Sequence, residues 1–585
     1  MISKAPKLLD NDELWRQPPA SLDLAQLPIR TSEQARSTPF ETIRANYQQA
    51  RAICQAHELT VEDVLTMSPK FWNLHADPIS IRMSAAMMLI GSQYNLVVGT
   101  IAPYVKQQPD LAPLLQRLMD FDVSGIYMLT ELGHGLDARN LQTIATMLPD
   151  GGFDLHTPTP DAAKCMPVAT PISGIEKIAV VFARLYISGQ DHGVRGFVVR
   201  INDGRRMTPG ITAKLLPYRA GSNYLDHAIT TFNHVALPST ALLGKPRTTT
   251  TVRKDDFSEL IWRVPVGTLS LSLTSIPALK ASAWIAAQYA LNRTVGATPT
   301  PIIHFRTQQI PIFHTIAQAY VVPEYARWSM ERFMDPRVDS RLRHAYAMLF
   351  KTVAVGHTLS SARILSQEIG WRGLLEDNQL IRIELELRGN KIAEGDITVL
   401  CIRLTSDILH DKISIPAPLN RNALLAKHEA ALLSELRTTF VDKCGSDFRC
   451  PASNRYILPR CHELVAAIGH RMAYEAAAGA GAGGAGAGAA EDGEGKIDPV
   501  LLRLYELGAV KSDLATYVEH GIVTQSDLFG AEDACIEELG TRLGRLLDGL
   551  DIGAYCKAPI LSEELWERFV GTLDTFGSEG LVSSR

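Results

Sequence analysis

The sequence of 585 residues lacks the marks of several common protein classes. Its eight cysteines are scattered, no two have CxxC spacing, and their density is far below that of a disulfide scaffold. There is no HExxH, GxSxG or Walker A pattern, so metalloprotease, serine-hydrolase and P-loop chemistry have no support. We therefore expect a reduced, intracellular and soluble protein without a metal site.

Strong charge and long apolar runs are also missing. The net charge of −5 and the lack of long acidic or basic runs give no reason to expect nucleic acid as a partner. The N-terminus has no apolar signal-peptide core, and the final Ser-Ser-Arg is not an SKL-type peroxisomal address. The stretch MSAAMMLIGSQYNLVVGTIAPY is interrupted by polar residues and predicts a buried helix rather than a membrane span. We expect a cytoplasmic or peroxisomal location.

The texture of the chain changes from helical to β-rich and back to helical. Val- and Ile-rich runs such as IEKIAVVFARLYI and GVRGFVVRI predict strands, and AITTFNHVALP predicts one more short strand. Long apolar-striped segments before and after them predict helices. We predict an α+β, mostly α fold of four segments: a helical N-terminal domain at 1–124, a mostly antiparallel, barrel-like β domain at 125–245, a helical bundle at 258–430, and a C-terminal helical region at 431–585.

An Ala/Gly-rich segment at 473–496 lies within the last region. Alanine and glycine alone bury too little surface to order a chain, so we predict a flexible linker. The segment also matches GxGxxG at Gly479, Gly481 and Gly484. No strand precedes this match, and the composition produces it almost automatically, so it does not indicate a nucleotide site.

One carboxylate stands just before a predicted helix. In GNKIAEGDITVLCIRLTSDIL, Asp396 is a predicted N-cap for an apolar helix at 397–409, and Glu394 lies two residues upstream. Glu394 is either a surface acid favoured by the positive helix end or a general base that takes an already acidified proton. The residues alone leave both interpretations open.

The stretch YMLTELGHGLDARNLQTIATML places a histidine between Gly133 and Gly135. Taken alone, this is a tight turn in which glycine permits unusual backbone angles. However, it resembles the flavin-binding segment of acyl-CoA oxidases, which are related to the acyl-CoA dehydrogenases. Over residues 40–430 the order of helical domain, β domain and helical bundle is also the family's. The resemblance implies that Thr130 bonds the pyrimidine edge of FAD, that Gly133 and Gly135 let the backbone approach it, and that His134 has no chemical role.

A second segment, AAKCMPVAT, is similar to the KWWPGG run of these oxidases. Lys164 and Pro167 match, and the resemblance implies that the Val168 amide reaches flavin N5. Met166 stands where an aromatic ring usually packs against the flavin. This departure bears on the shape of the acyl pocket, and so on the substrate.

Three further runs resemble the family's cofactor contacts. YALNRTVG implies that Arg293 neutralises the pyrophosphate of FAD, and FRTQQ places Gln308 and Gln309 near the dinucleotide. QEIGWRG resembles a segment that touches the FAD of a neighbouring subunit, which implies at least a homodimer, although Trp371 replaces a glycine. The residues that match in this last run are Gln367, Gly370 and Gly373.

Finally, IAEGDITVL resembles the family's YEGDNTVL, so that Glu394 falls on the catalytic base and Asp396 and Thr398 fall on cofactor-binding positions. The resemblance implies FAD-dependent oxidation of an acyl-CoA to its trans-2-enoyl thioester, with O2 as acceptor and hydrogen peroxide as product. Three alternatives remain: a dehydrogenase using an electron-transfer flavoprotein, a flavoenzyme acting on carrier-bound acyl chains, and a non-catalytic member of the fold.

Overall fold

The computed structural model describes residues 14–15, 17–26, 38–219, 223–245, 256–479, 497–578 and 580–583. The chain forms two compact units. We call Leu9–Leu271 the N-terminal unit and Ser272–Arg585 the C-terminal unit.

The N-terminal unit begins with short helices whose starts follow from the sequence. The Thr38 and Thr60 hydroxyls each accept a hydrogen bond from the amide three residues later, and the Glu41 and Asp63 carboxylates accept one from the amides of these caps, forming capping boxes. The α-helices of this unit and its boundary are Pro19–Gln26, Pro39–His57, Val61–Thr66, Pro69–His75, Ser84–Ile90, Gly99–Ile101, Ala112–Met119, Asp256–Leu260 and Arg263–Ser272.

The predicted buried helix is present and carries an irregularity. It runs over Ser84–Tyr104, and its middle, Gly91–Val98, is a π-helix. Within the described residues this is the one helix apolar and long enough to cross a membrane, and 83% of its apolar window is buried inside the protein. Burial of this kind is what a core helix shows, which agrees with the prediction.

Two sheets make up the β-rich part of the N-terminal unit. The six-stranded sheet contains β1 (Val123–Met128), β2 (Ile144–Met147), β3 (Phe153–His156), β5 (Glu176–Ile187), β6 (Gln190–Asn202) and β9 (Val235–Leu237). The three-stranded sheet contains β4 (Lys164–Cys165), β7 (Ile211–Leu215) and β8 (Ala228–Phe232). β5 pairs in parallel with β1 and then β2, and antiparallel with β6.

The sheets refine two sequence predictions. The mostly α, α+β class is confirmed, but the strands form two sheets, so "barrel-like" describes them only loosely. The run AITTFNHVALP, predicted as one strand, is two strands in different sheets. His234, with φ 50°, lies in the bend between β8 and β9.

Helices make up most of the C-terminal unit. Its longest helices, Arg306–Met334 and Ser340–Glu368, pack on each other and on Ser275–Asn292. The other α-helices are Leu380–Leu387, Ile397–Leu409, Leu424–Asp442, Pro451–Tyr456, Cys461–Ala477, Pro499–Ser512, Leu514–Glu519, Gln525–Gly540, Leu543–Asp548 and Glu563–Val570. Two small hairpins complete the unit, Thr294–Val295 with Thr300–Pro301 and Thr575–Gly577 with Gly580–Ser583.

The Ala/Gly-rich segment begins later than its composition suggests. Residues 473–477 are the last turn of the helix Cys461–Ala477, where Ala473 and Ala476 are buried. Small side chains fit there against neighbouring helices, which composition alone does not reveal. Residues 480–496 of the predicted linker lie outside the described residues.

Candidate active site

The N-terminal unit brings together the two segments that resemble flavin contacts. The Leu132 amide donates to the Ala163 carbonyl of the second segment, and the Gly133 amide donates to the carbonyl of Asp161 just before that segment, both at 2.8 Å. The Thr130 carbonyl accepts from the Cys165 amide at 3.0 Å. The TELGHG turn and the start of AAKCMPVAT, about thirty residues apart in sequence, thus form one backbone-paired structure.

A buried ion pair lies under this paired structure. The Glu131 carboxylate accepts from the Gln142 amide at 2.7 Å, from the Thr143 amide at 2.8 Å and hydroxyl at 2.6 Å, and from Lys164 Nζ at 3.0 Å. Lys164 Nζ also donates to the Phe182 carbonyl at 2.7 Å. Burial alone would raise the pKa of Glu131, but the Lys164 charge and these bonds hold it below its usual value. Burial lowers the pKa of Lys164 to about 8.

The two glycines of the turn are not equivalent, and neither has a positive φ. The expectation of unusual backbone angles is therefore wrong at both positions. A Cβ on Gly133 would lie 2.7 Å from the Asp161 Cβ, whereas one on Gly135 would meet nothing within 4 Å. Gly133 is required by close approach between the paired segments, and Gly135 leaves open space on the exposed side of the turn.

A second buried charge network fixes the Val168 end of the other segment. Lys177 Nζ donates to the Val168 carbonyl at 2.7 Å, to Asp226 at 2.5 Å and to the Tyr47 hydroxyl at 2.6 Å. The Thr170 hydroxyl donates to Asp226 at 2.8 Å. Lys177 and Asp226 are fully buried, so the carbonyl side of Val168 is held rigidly.

Two polar groups of these segments keep free hydrogen-bonding capacity. Within the described part of the chain, neither the Thr130 hydroxyl nor the Val168 amide has a partner. Thr130 is exposed, and Met166, two residues before Val168, is 42% exposed with φ 68°. An amide and a hydroxyl held on rigid backbone beside an exposed apolar side chain suit a flat ligand with polar edges.

The C-terminal unit contains the predicted base at a strained turn. Glu394 has φ 53°, in the left-handed region that non-glycine residues avoid, and Gly395 follows with φ 97°. The predicted helix start is confirmed, because Asp396 caps Ile397–Leu409 by accepting from the Val399 amide at 3.2 Å. Thr398 is exposed in the first turn.

A buried lysine holds this turn from below. Lys351, in the middle of the helix Ser340–Glu368, is fully buried and donates to the carbonyls of Ala393 at 2.5 Å and Gly395 at 2.6 Å. Burial raises the pKa of the Glu394 carboxyl to about 7, and the Lys351 charge opposes that rise. Burial lowers the pKa of Lys351 to about 8, against the charges of Glu394 and Asp396.

Two of the predicted dinucleotide contacts meet in the C-terminal unit. Gln308 Nε2 donates to the Glu368 carbonyl and carboxylate at 3.3 Å, which brings it beside the QEIGWRG segment. Gln309 Oε1 accepts from Arg306 at 2.7 Å, and Arg293 is an exposed residue at the end of the helix Ser275–Asn292.

The QEIGWRG segment itself is a tight turn. Gly370 has φ 76°, and a Cβ on Gly373 would lie 2.0 Å from the Ser366 carbonyl oxygen, so glycine is needed there. Gln367 is exposed, and Trp371 is 64% exposed with its ring 5.8 Å from that of Trp566.

Sequence reasoning missed the residues that support these segments. Lys177, Asp226 and Lys351 act through buried contacts with residues far along the chain, and no local motif marks them. Glu131 lies within the TELGHG run, but its buried partner Lys164 is 33 residues away. A charged residue within an apolar run, as Lys177 is in IEKIAVVF, is the one signal that was available. No cluster of three or more metal-ligating side chains occurs among the described residues.

No protein-family model matches the chain. Among curated proteins, it is 31% identical over 230 residues to peroxisomal acyl-coenzyme A oxidase 1 of Arabidopsis thaliana, covering 35% of this chain and 34% of the relative. It is 26% identical over 359 residues to peroxisomal acyl-coenzyme A oxidase 2 of the same plant, covering 56% and 51%. The chain thus spans about a third to a half of the length of these relatives.

Solved structures match over nearly the whole chain. Acyl-CoA oxidase 1 from Yarrowia lipolytica has a TM-score of 0.74 at 18% identity, covering 95% of this chain and 94% of that one. Acyl-CoA oxidase-1 of Caenorhabditis elegans, solved in complex with FAD and ATP, has a TM-score of 0.69 at 18% identity, covering 97% and 95%. The chain therefore has the fold of the acyl-CoA oxidases, and the predicted resemblance to the acyl-CoA oxidase and dehydrogenase superfamily is confirmed.

Proposed function

We propose that the protein is an FAD-dependent acyl-CoA oxidase that converts an acyl-CoA to its trans-2-enoyl thioester and passes the electrons to O2. The observation that carries the proposal is Glu394, a carboxylate in a strained left-handed turn at a helix start, with its pKa raised by burial to about 7. Strain and a raised pKa at one carboxylate are typical of a general base rather than of a surface acid.

The residues of each unit fit FAD. In the N-terminal unit, the Thr130 hydroxyl and Val168 amide are available donors on rigid backbone and would hold the polar edge of the flavin ring. In the C-terminal unit, Arg293 would face the pyrophosphate. We further assign to cofactor binding the other residues that the resemblance implies: Gly133, Gly135, Gln308, Gln309, Gln367, Gly370, Gly373, Asp396 and Thr398.

Bound FAD would supply the acceptor for the β hydride of the thioester. Glu394 supplies the other half of the chemistry by taking the α proton on a carboxylate oxygen. A pKa near 7 leaves a substantial fraction of the carboxylate ionised at neutral pH and makes it a stronger base than an exposed glutamate. The Glu394 amide is an additional donor for the thioester carbonyl, where negative charge develops as the proton leaves.

The choice of O2 over an electron-transfer flavoprotein follows the relatives, which are named oxidases. Their names also place them in peroxisomes, and we propose the same location here. The exposed Trp371 segment supports the further proposal of a homodimer, since the resemblance puts it beside a neighbouring subunit. Met166 stands where the resemblance implies an aromatic ring, which bears on the shape of the acyl pocket. A wide range of acyl chains should therefore be tested.

The visible spectrum of the purified protein tests this function. We expect a flavin band that one or more acyl-CoAs bleach without air, and that returns with hydrogen peroxide when air is admitted. Bleaching that recovers only with an electron-transfer flavoprotein would indicate a dehydrogenase. A flavin band that only carrier-bound thioesters bleach would show that the substrate is a carrier-bound acyl chain rather than an acyl-CoA. A protein that takes up no added FAD would contradict the proposal.

A further inference from the structure

Lys351 is a buried charge that the proposed reaction does not itself use. It lies in the interior of the helix Ser340–Glu368, with no exposed surface. A lysine in such a place is costly to bury, so its ammonium must have compensating partners.

Its hydrogen-bond partners are on one short stretch of backbone. The ammonium donates to the carbonyls of Ala393 and Gly395, at 2.5 and 2.6 Å, one on each side of Glu394. Two bonds from one ammonium fix the orientation of the 393–394 peptide, which precedes Glu394, and of the 395–396 peptide, which follows Gly395. They also restrain the turn in which Glu394 has a φ of 53°, in the left-handed region.

We propose that Lys351 is a positioning residue for the base: its ammonium clamps the Ala393–Gly395 turn and so sets the direction in which Glu394 presents its carboxylate and amide. The inference rests on the proposed function, because it assigns the role of Lys351 through Glu394. We assign Lys351 no contact with substrate or cofactor. It acts by fixing the position of Glu394, the proton acceptor.

The same ammonium also acts on the base through its charge. The charged groups that face it are Glu394 and Asp396. Removing the positive charge should raise the pKa of Glu394 further, because the Lys351 charge favours the ionised carboxylate. The variant therefore needs a higher pH to keep the base ionised.

Exchange of the substrate's α proton tests the base separately from the redox step. In a 3-thia acyl-CoA, sulfur replaces the β carbon, so no β hydride can leave, but the α protons remain acidic. In D2O, Glu394 breaks the α C–H bond and returns a deuteron to the same carbon, and mass spectrometry measures the gain. The rates are normalised to bound FAD and compared across pH for the wild type, Lys351→Met and Lys351→Arg.

We expect Lys351→Met to lose about 100-fold in exchange rate, the size of effect that misplacement of a catalytic group produces. The acid limb of its pH profile, where the exchange rate falls because the base is protonated, should move up by about one pH unit. Lys351→Arg keeps the charge, so its acid limb should stay in place and part of the rate should return. In a crystal structure of Lys351→Met, φ of Glu394 should leave the left-handed region.

Lys280 provides the matched control. It is a half-buried lysine of the same unit, and its charge partner is Asp551. Lys280→Met should keep the wild-type rate and acid limb. If Lys351→Met does not fold, Lys351→Gln, which keeps a donor but no charge, replaces it.

An unchanged rate and acid limb in the neutral Lys351 variant would overturn the inference while leaving the proposed function intact. A wild-type enzyme that binds FAD but exchanges no α proton would instead refute the role of Glu394, and the inference with it.

Discussion

Gly133 and Gly135 show at the residue scale how much a motif conveys. The TELGHG run identified both as close contacts, but the physical reason differs between them. Gly133 is confined by Asp161, whereas a Cβ on Gly135 would meet no described residue within 4 Å. The sequence does not show that the two segments pair, so this difference was not predictable.

Alanine at each position tests that distinction. We expect Gly133→Ala to lower the free energy of unfolding by about 2 kcal/mol, because its methyl group would strike the Asp161 side chain and force the paired segments apart. Gly135→Ala should stay within about 0.5 kcal/mol, as is usual at an exposed site. Urea unfolding measures both, and equal losses would show that the pairing is not what requires glycine.

Glu394 and Asp396 were predictable for another reason. The cap, the helix start and the carboxylate before it lie within a few residues, and the predicted helix bounds of 397–409 are those of the structure. Lys351 is 43 residues upstream of Glu394, and its contact depends on helix packing. A functional group set by neighbouring residues can therefore be predicted from the sequence, whereas the distant residue that positions it cannot.

At the scale of elements, the sequence pattern predicted which segments are helices or strands well, and the breaks between strands less well. β5 and β6 match the Val- and Ile-rich runs, since strands that are buried over most of their length have nearly continuous apolar runs. The break between β8 and β9 was missed because it needs only His234 in a left-handed conformation, with no Gly or Pro to mark it.

The helix Gln525–Gly540 is held to its neighbours by one buried acid. Glu532 accepts from His314 at 2.6 Å and from Lys511 at 2.8 Å, which lie on Arg306–Met334 and Pro499–Ser512. Burial alone would raise the pKa of Glu532, but these bonds and charges bring it down to about 2. The ionised carboxylate therefore stabilises the folded chain above the unfolded pKa.

Glu532→Gln should lower the free energy of unfolding at pH 7 by about 2 kcal/mol, less than for a fully buried pair because Lys511 is partly exposed. Because the wild type loses this contribution as pH falls from about 4.5 towards 2, the difference between the two proteins should shrink over that range. Thermal unfolding across pH measures it, and a difference that does not change with pH would contradict the assignment.

At the scale of the whole molecule, the order of helical, β and helical parts was predictable, because each texture covers a hundred residues or so. The boundaries of the four predicted segments stay a prediction. Within the C-terminal unit, the helix Arg306–Met334 packs on Cys461–Ala477 and Pro499–Ser512, which the prediction placed in another segment. Such packing joins distant parts of the chain and leaves no compositional mark.

Both units contain histidines that burial keeps neutral. Burial lowers the pKa of His75 in the N-terminal unit and of His470 in the C-terminal unit to about 4. In the unfolded chain each takes a proton near pH 6.5, so the unfolded state binds more protons between about 6.5 and 4. Each should therefore cost about 1.4 kcal/mol of stability per pH unit through that window.

Urea midpoints at pH 7.5, 6.0 and 5.0 measure this effect. We expect the wild-type midpoint to fall with pH, and His75→Gln and His470→Gln each to make the fall less steep. A midpoint that stays constant, or variants as steep as the wild type, would show that these histidines are protonated in the folded protein.

The most direct test of the central claim is the rate of flavin bleaching after rapid anaerobic mixing with a reactive acyl-CoA, for wild type and Glu394→Gln at equal bound FAD. Glutamine keeps the size and polarity of the side chain but cannot accept the α proton. We predict equal flavin bands before mixing and a loss of about 10,000-fold in the bleaching rate of the variant, the upper range for general-base catalysis. Bleaching of Glu394→Gln at a rate near that of the wild type would contradict the account, because the proton would then be leaving to another group.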